Sequence, residues 1–165
     1  MIQATIFFLS FWNIGNASNV YWIQGIPGSV TKQQMRQLLQ SPPISLKAGE
    51  DYDFFYLSLR FRTGENMHHA AIGLVNDETF DILQSKFSQY GLMVGNTSFP
   101  NLMIGGDIKH RNSDQLIEYF RDSPIMHEVV PEEYQPWVFS ASNKSKLIDN
   151  NHKVDLHSRQ RQHCS

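Results

Sequence analysis

Cysteine is nearly missing from this chain. Cys164 is the only one in 165 residues, so no internal disulfide can form, and a small scaffold held by disulfides is excluded. Positive charge is also lacking in aggregate. The formal net charge is -2 at pH 7, which leaves no global basic field to draw the protein onto phosphate backbones. No apolar run reaches the roughly 20 residues of a membrane-spanning helix; the longest, Ala4 to Ile14 (ATIFFLSFWNI), has no Lys or Arg before it. With the sequons opened by Asn16, Asn96 and Asn143, that run frames a small secreted globular protein as a minor alternative. The preferred reading makes residues 1–18 an added strand or a packed N-terminal segment of uncertain role.

Catalytic signatures are missing as well. The chain has no nucleophile elbow, no phosphate-binding glycine-rich loop and no H-x-E or H-E-x-x-H pair, so an enzyme is not expected. Glu132-Glu133 has no partner base nearby, and Gly105-Gly106-Asp107 reads as a turn. No cofactor is implied. His68 and His69 are adjacent on an expected strand; their rings should leave opposite faces and cannot share one ion. His152, His157, His163 and Cys164 carry ligand atoms without fixed spacing in a polar tail, and no metal is expected there either.

What is present is a globular composition, 41% hydrophobic and 18% charged, enough for one core. From Asn19 to Lys109 it spells strand, helix, strand, strand, helix, strand. Val20 to Ile26 (VYWIQGI) is β-branched and aromatic and closes on Pro27-Gly28, a first strand. Thr31-x-x-Gln34 is a capping box, with Val30 placed to staple against Met35, and Leu38 and Leu39 continue the apolar face up to Ser41-Pro42-Pro43. Tyr52 to Arg62 alternates. Phe55, Leu57, Leu59 and Phe61 should face the helices, with Phe54, Tyr56, Ser58, Arg60 and Arg62 on the other side. His68 to Leu74 supplies a third strand with Ala70, Ile72 and Leu74 inward and His69, Ala71 and Gly73 outward.

Asp77 is placed to cap a second helix with a stripe at Phe80, Leu83, Phe87 and Tyr90. Leu92 to Pro100 is turn-rich with room for a short hairpin, and Asn101 to Ile108 reads as the fourth strand. Ser113 or Asp114 then caps a third helix carrying Leu116, Ile117 and Phe120 and ending at Ser123-Pro124. The expected fold is α+β, ferredoxin-like (RRM-like) βαββαβ, with a four-stranded antiparallel sheet and two helices on one face. Residues 19–123 form the domain, and residues 124–165 an extended, largely disordered tail.

Aligned on its strands, YWIQGIP from Tyr21 occupies the first-strand motif of an RNA-recognition module and Met67 to Leu74 the third-strand motif. The usual first-strand aromatic matches Trp22, whereas the third-strand aromatic pair falls on His69 and Ala71. Taken together, IPGSVTKQQMRQLL, DYDFF, HHAAIGL and FDILQSKFSQYGLMVGNTSFPNL resemble the core domain of the Smg-4/up-frameshift-three family of nonsense-mediated mRNA decay factors. The resemblance spans Asn19 to about Ser123. It implies a nonenzymatic adaptor, cytoplasmic and nuclear, whose sheet face docks on the up-frameshift-two scaffold. Val20 and Gln24 stand where that family carries basic residues, and no Lys/Arg-rich tail with an exon-junction motif is recognisable, so junction binding is not expected.

Base stacking needs flat π-faces, each worth about 1–3 kcal/mol. Trp22 and Tyr56 offer two, and Ala71 leaves the third-strand platform empty. Trp22 either lies open or packs under a terminal segment, Phe7 to Trp12 or the helix at Leu116. Arg60 is placed to grip a carboxylate or a phosphate. The expected partner surface is therefore Trp22, Gln24, Tyr56, Arg60, His69 and Ala71, for a protein first and weakly for single-stranded RNA second, with no membrane partner.

Overall fold

The computed structural model describes residues 19–89, 91–106, 108 and 112–139. The N-terminal run, Tyr90, Asp107 and the tail from Ser140, with its histidines and Cys164, lie outside them. Strand β1 (Asn19–Gln24) leads into helix α1 (Lys32–Gln40), followed by β2 (Tyr52–Leu59), β3 (Asn66–Leu74) and α2 (Asp77–Phe87). A hairpin of β4 (Leu92–Val94) and β5 (Thr97–Phe99) precedes β6 (Met103–Gly105), α3 (Ser113–Arg121) and β7 (Trp137–Val138). The main sheet runs β6-β1-β3-β2-β7, every pair antiparallel. Omitting the hairpin and β7, this is the split βαβ order of a ferredoxin-like, RRM-like α+β fold.

Local chemistry starts each element. The Thr31 hydroxyl accepts from the Gln34 amide at 3.2 Å while the Gln34 side chain accepts from the Thr31 amide at 2.8 Å, closing the capping box. Buried Asn66 holds the loop before α1 in place. Its Nδ2 donates to the carbonyls of Pro27 at 2.6 Å and Val30 at 2.8 Å, and its Oδ1 accepts from the His68 amide. Helix α2 is capped by Asn76 rather than Asp77, and α3 by Asn112 rather than Ser113 or Asp114. In each case an Asx side chain one residue earlier reaches the third helical amide, which is the geometry a cap requires.

Side chains alternate between two cores, as a period of 2 demands. Ile23, Phe55, Leu57, Ala70, Ile72 and Leu74 face α1 and α2, meeting Met35, Leu38, Leu39, Leu83 and Phe87. Val20, Phe54 and Ala71 face the other way and are also buried, beneath Leu116, Phe120 and Met126. The two helices expected on one face are there, and α3 adds a third layer on the second face.

The expected second strand is also shortened. It ends at Leu59 after a register shift, and the Arg60 amide turns to donate to Glu65 O at 2.8 Å. Phe61, expected inward, is 62% exposed and stacks on Tyr134 at 4.9 Å.

The four strands expected become five because the segment after Ser123 folds onto the domain. Two 3₁₀ turns, Pro124–Met126 and Glu132–Tyr134, carry the chain back to β7, which pairs Phe54 with Val138 and Phe55 with Trp137. Trp137 and Phe139 are buried in the main core, so residues 124–139 belong to the folded unit and not to the tail. Lys32 fastens this return. Its Nζ donates to Glu132 O at 3.1 Å and to Gln135 O, and lies 4.1 Å from the centre of the Trp137 ring.

Burial lowers the Lys32 ammonium from 10.5 to about 7, against an upward pull from Glu132 and Glu133. The unfolded chain holds that proton to about 10.5 and the folded chain releases it near 7, so the unfolded state binds more protons in between. Stability from this site therefore rises with pH across that window, and below it the full cost of burying the ammonium remains. The melting midpoint should climb between pH 7 and pH 9.5 by about 4 °C or more relative to a Lys32→Met chain, the equivalent of about 1 kcal/mol. Parallel melting curves for the two proteins would refute the assignment.

Candidate interaction surface

The second face of the sheet is set by register. Trp22, Ala71 and Tyr56 stand side by side on β1, β3 and β2, and Gln24 and His69 form the neighbouring row. Met103 pairs with Gln24; because Ile104 enters the main core, Met103 points to this second face. Five of the six residues expected from sequence are thus brought onto one surface. Arg60 is not among them, since it follows the end of β2 and is exposed in the turn.

Helix α3 divides that surface. It begins against bare backbone at Gly73, where a Cβ would lie 2.1 Å from Ser113 Oγ. The Ser113 hydroxyl donates to Asp53 Oδ1 at 2.7 Å, and Asn112 bridges to Asn19. From there Leu116 and Phe120, one turn apart, press onto Val20, Phe54 and Ala71. Phe120 approaches Tyr56 to 4.7 Å between ring centres. Ala71 is 2% exposed, and Tyr56 is half-buried with its phenol pushed up, chiefly by burial, while the Ser58 hydrogen bond works downward. Phe120 therefore covers part of the Tyr56 ring that a base would need.

A strip along β1 and β6 stays accessible. Trp22 is half-buried, with His69 edge-on at 4.9 Å and 89°. His69 is fixed by a 2.8 Å contact from its Nδ1 to Met67 O. Gln24 is exposed beside them, and Met103 is 59% exposed. In this row Gln24 lies between Met103 on the edge strand and His69, so the strip alternates apolar and uncharged polar side chains. None of the five strands of the main sheet carries a lysine or arginine, and Arg121 on α3 is paired with Glu118. Nothing on the strands supplies the cations that phosphate contacts require.

Of the residues that shape this surface, Met103, Leu116, Phe120 and Met126 were not among the expected site residues. Of the alternatives for Trp22, open or packed under a terminal segment, the structure packs it in part against the cluster that holds Leu116. Arg60 fell on the wrong side of a strand end. No group of three or more His, Cys, Asp or Glu is arranged to hold a metal ion among the described residues. No described helix is long and apolar enough to cross a membrane.

No family profile matches this chain, and no curated protein does. Among solved structures it is similar to the Rna15 RRM with bound RNA (GU), at 18% identity over 63% of this chain and 98% of that one, with a TM-score of 0.42. It is also similar to the Rna15 RRM in a second structure, at 20% identity over 61% and 98%, with a TM-score of 0.41. The fold assignment rests on the strand order given above.

Proposed function

We propose that this chain is a nonenzymatic protein-interaction adaptor whose RRM-like sheet face receives a protein partner. The observation that carries this reading is α3. It buries Ala71, where an RNA-recognition module presents a stacking ring, and pins Tyr56 against Phe120. The remaining strip of Trp22, His69, Gln24 and Met103 combines an aromatic ring and an exposed methionine with side chains other than Lys and Arg, a composition that suits a protein interface. The Smg-4/up-frameshift-three resemblance supplies the finer identity: an adaptor of nonsense-mediated mRNA decay, in nucleus and cytoplasm, docking on the up-frameshift-two scaffold.

The test is a titration of the purified chain against that scaffold and against single-stranded RNA at about 50 mM and 200 mM salt. The scaffold should bind, with little change between the two salts, and Trp22→Ala or Met103→Asp should weaken it about tenfold, near 1.4 kcal/mol. RNA binding tighter than scaffold binding, falling steeply with salt as counterion release requires, would reverse the assignment in favour of a weak RNA-recognition module.

A further inference from the structure

The turn after β2 sets both charge signs around one open aromatic ring. Arg60, Phe61 and Arg62 are all exposed, and Phe61, at 62%, stacks on Tyr134 with ring centres 4.9 Å and planes 7° apart. Tyr134 follows Glu132 and Glu133, which are also exposed, so the stack holds a basic segment, Arg-Phe-Arg, beside an acidic one, Glu-Glu-Tyr. Among the described residues none of these four charges joins an ion pair. A surface with both signs around one open ring is complementary to itself. We propose that the chain forms a two-fold dimer here, Phe61 stacking on Phe61 of a second copy, with the Arg60 to Arg62 turn of each copy against Glu132 and Glu133 of the other.

Charge selects a second copy over other occupants. A phosphodiester strand laid along Arg60 and Arg62 meets the carboxylates of Glu65, Glu132 and Glu133 at the same place, and an all-acidic peptide meets them too. A second copy presents arginines to those glutamates and glutamates to those arginines, as a two-fold interface requires. Guanidinium forks suit such carboxylate contacts. The patch is also held ready. The Arg60 carbonyl accepts from the Gly64 amide at 2.8 Å, and the Arg60 amide donates to Glu65 O at 2.8 Å, while Tyr134 backs the Phe61 ring, so little freedom is left to lose on pairing. The surface is small against the roughly 800 Å² per partner of a standard interface, and the dimer is accordingly weak. Because β3 separates β2 from β1, pairing here leaves the Trp22 strip of each copy open, and the dimer presents two strips at once.

Sedimentation velocity on the full chain tests this. Wild type should pass from monomer to dimer as its concentration rises through about 100 μM, the strength of a small interface. Phe61→Ser should weaken the dimer by about tenfold or more, and Trp22→Ala should leave it unchanged. The charges give the sharper result. A chain with Arg60→Glu and Arg62→Glu, and a second with Glu132→Arg and Glu133→Arg, should each stay monomeric alone and pair when mixed, because both crossed contacts then join opposite signs. Wild type that stays monomeric throughout overturns the proposal, as does a mixture that stays monomeric while each variant still melts cooperatively. Should the Glu132, Glu133 variant unfold, wild type and the ring variant decide instead. A dimer that weakens between about 50 mM and 500 mM salt and is lost with Phe61→Ser supports the proposal; one indifferent to either change overturns it.

Discussion

Gly25→Ala should destabilise the fold by about 2–5 kcal/mol or more and lower its urea midpoint well below that of wild type. Gly25 follows β1 with φ at +79°, and a Cβ there would sit 2.0 Å from the Asn101 carbonyl oxygen and 2.9 Å from its carbon. Both are backbone atoms next to β6, so no rotamer change relieves the overlap. A left-handed conformation costs a non-glycine residue about 1–2 kcal/mol, and overpacking against a fixed neighbour adds about 1–3 kcal/mol or more. Together these consume much of a stability that is typically about 5–15 kcal/mol. Gly91→Ala is the control, since Gly91 has φ of +80° with nothing within 4 Å of its Cβ and should show the backbone cost alone. Urea denaturation that places the two variants at the same midpoint would remove the close-approach argument.

Gly25 also marks where sequence reading stops. A run of β-branched and aromatic residues from Val20 to Ile26 reads as one strand, and only the approach of Asn101, 76 positions along the sequence, turns the glycine into a strand end. Signals contained within a few residues were legible: the Thr31–Gln34 capping box, the apolar stripe of α2 and the alternation of β2 and β3 through Leu57 and Ala70. Signals that need a distant partner were not. Phe54 reads only as one more outward residue of β2, and its burial depends on Phe120 arriving from α3, with ring centres 6.1 Å apart. Arg60 looked like the next outward residue of an alternating run, and the register shift that ends β2 before it leaves no local trace. Five of the six expected surface residues share a face because alternation is local; α3 covers part of that face because packing is not.

The segment from Pro124 to Phe139 has little periodicity and three prolines, and it carries the second large expected effect. A chain ending at Ser123 should fail to fold, whereas one ending at Phe139 should melt close to the full-length protein. The shorter chain loses Trp137, which lies 6.1 Å from Phe55 between ring centres, and Phe139, which meets Tyr52 edge-on at 5.3 Å. It also loses the β7 pairing that covers the outer edge of β2. Removing a buried Trp or Phe costs about 3–5 kcal/mol each. The two rings touch one another, so their losses are not simply additive, and a combined cost of about 5 kcal/mol or more is the expectation. Freeing the Lys32 ammonium to solvent offsets part of that, but it also uncovers apolar core next to a bare edge strand, an invitation to aggregation. Thermal melts followed by circular dichroism on chains 1–123, 1–139 and 1–165 check this directly. A cooperative transition for the shorter chain within a few degrees of the longer one would mean that β7 and its aromatic pair decorate a domain already complete at Ser123.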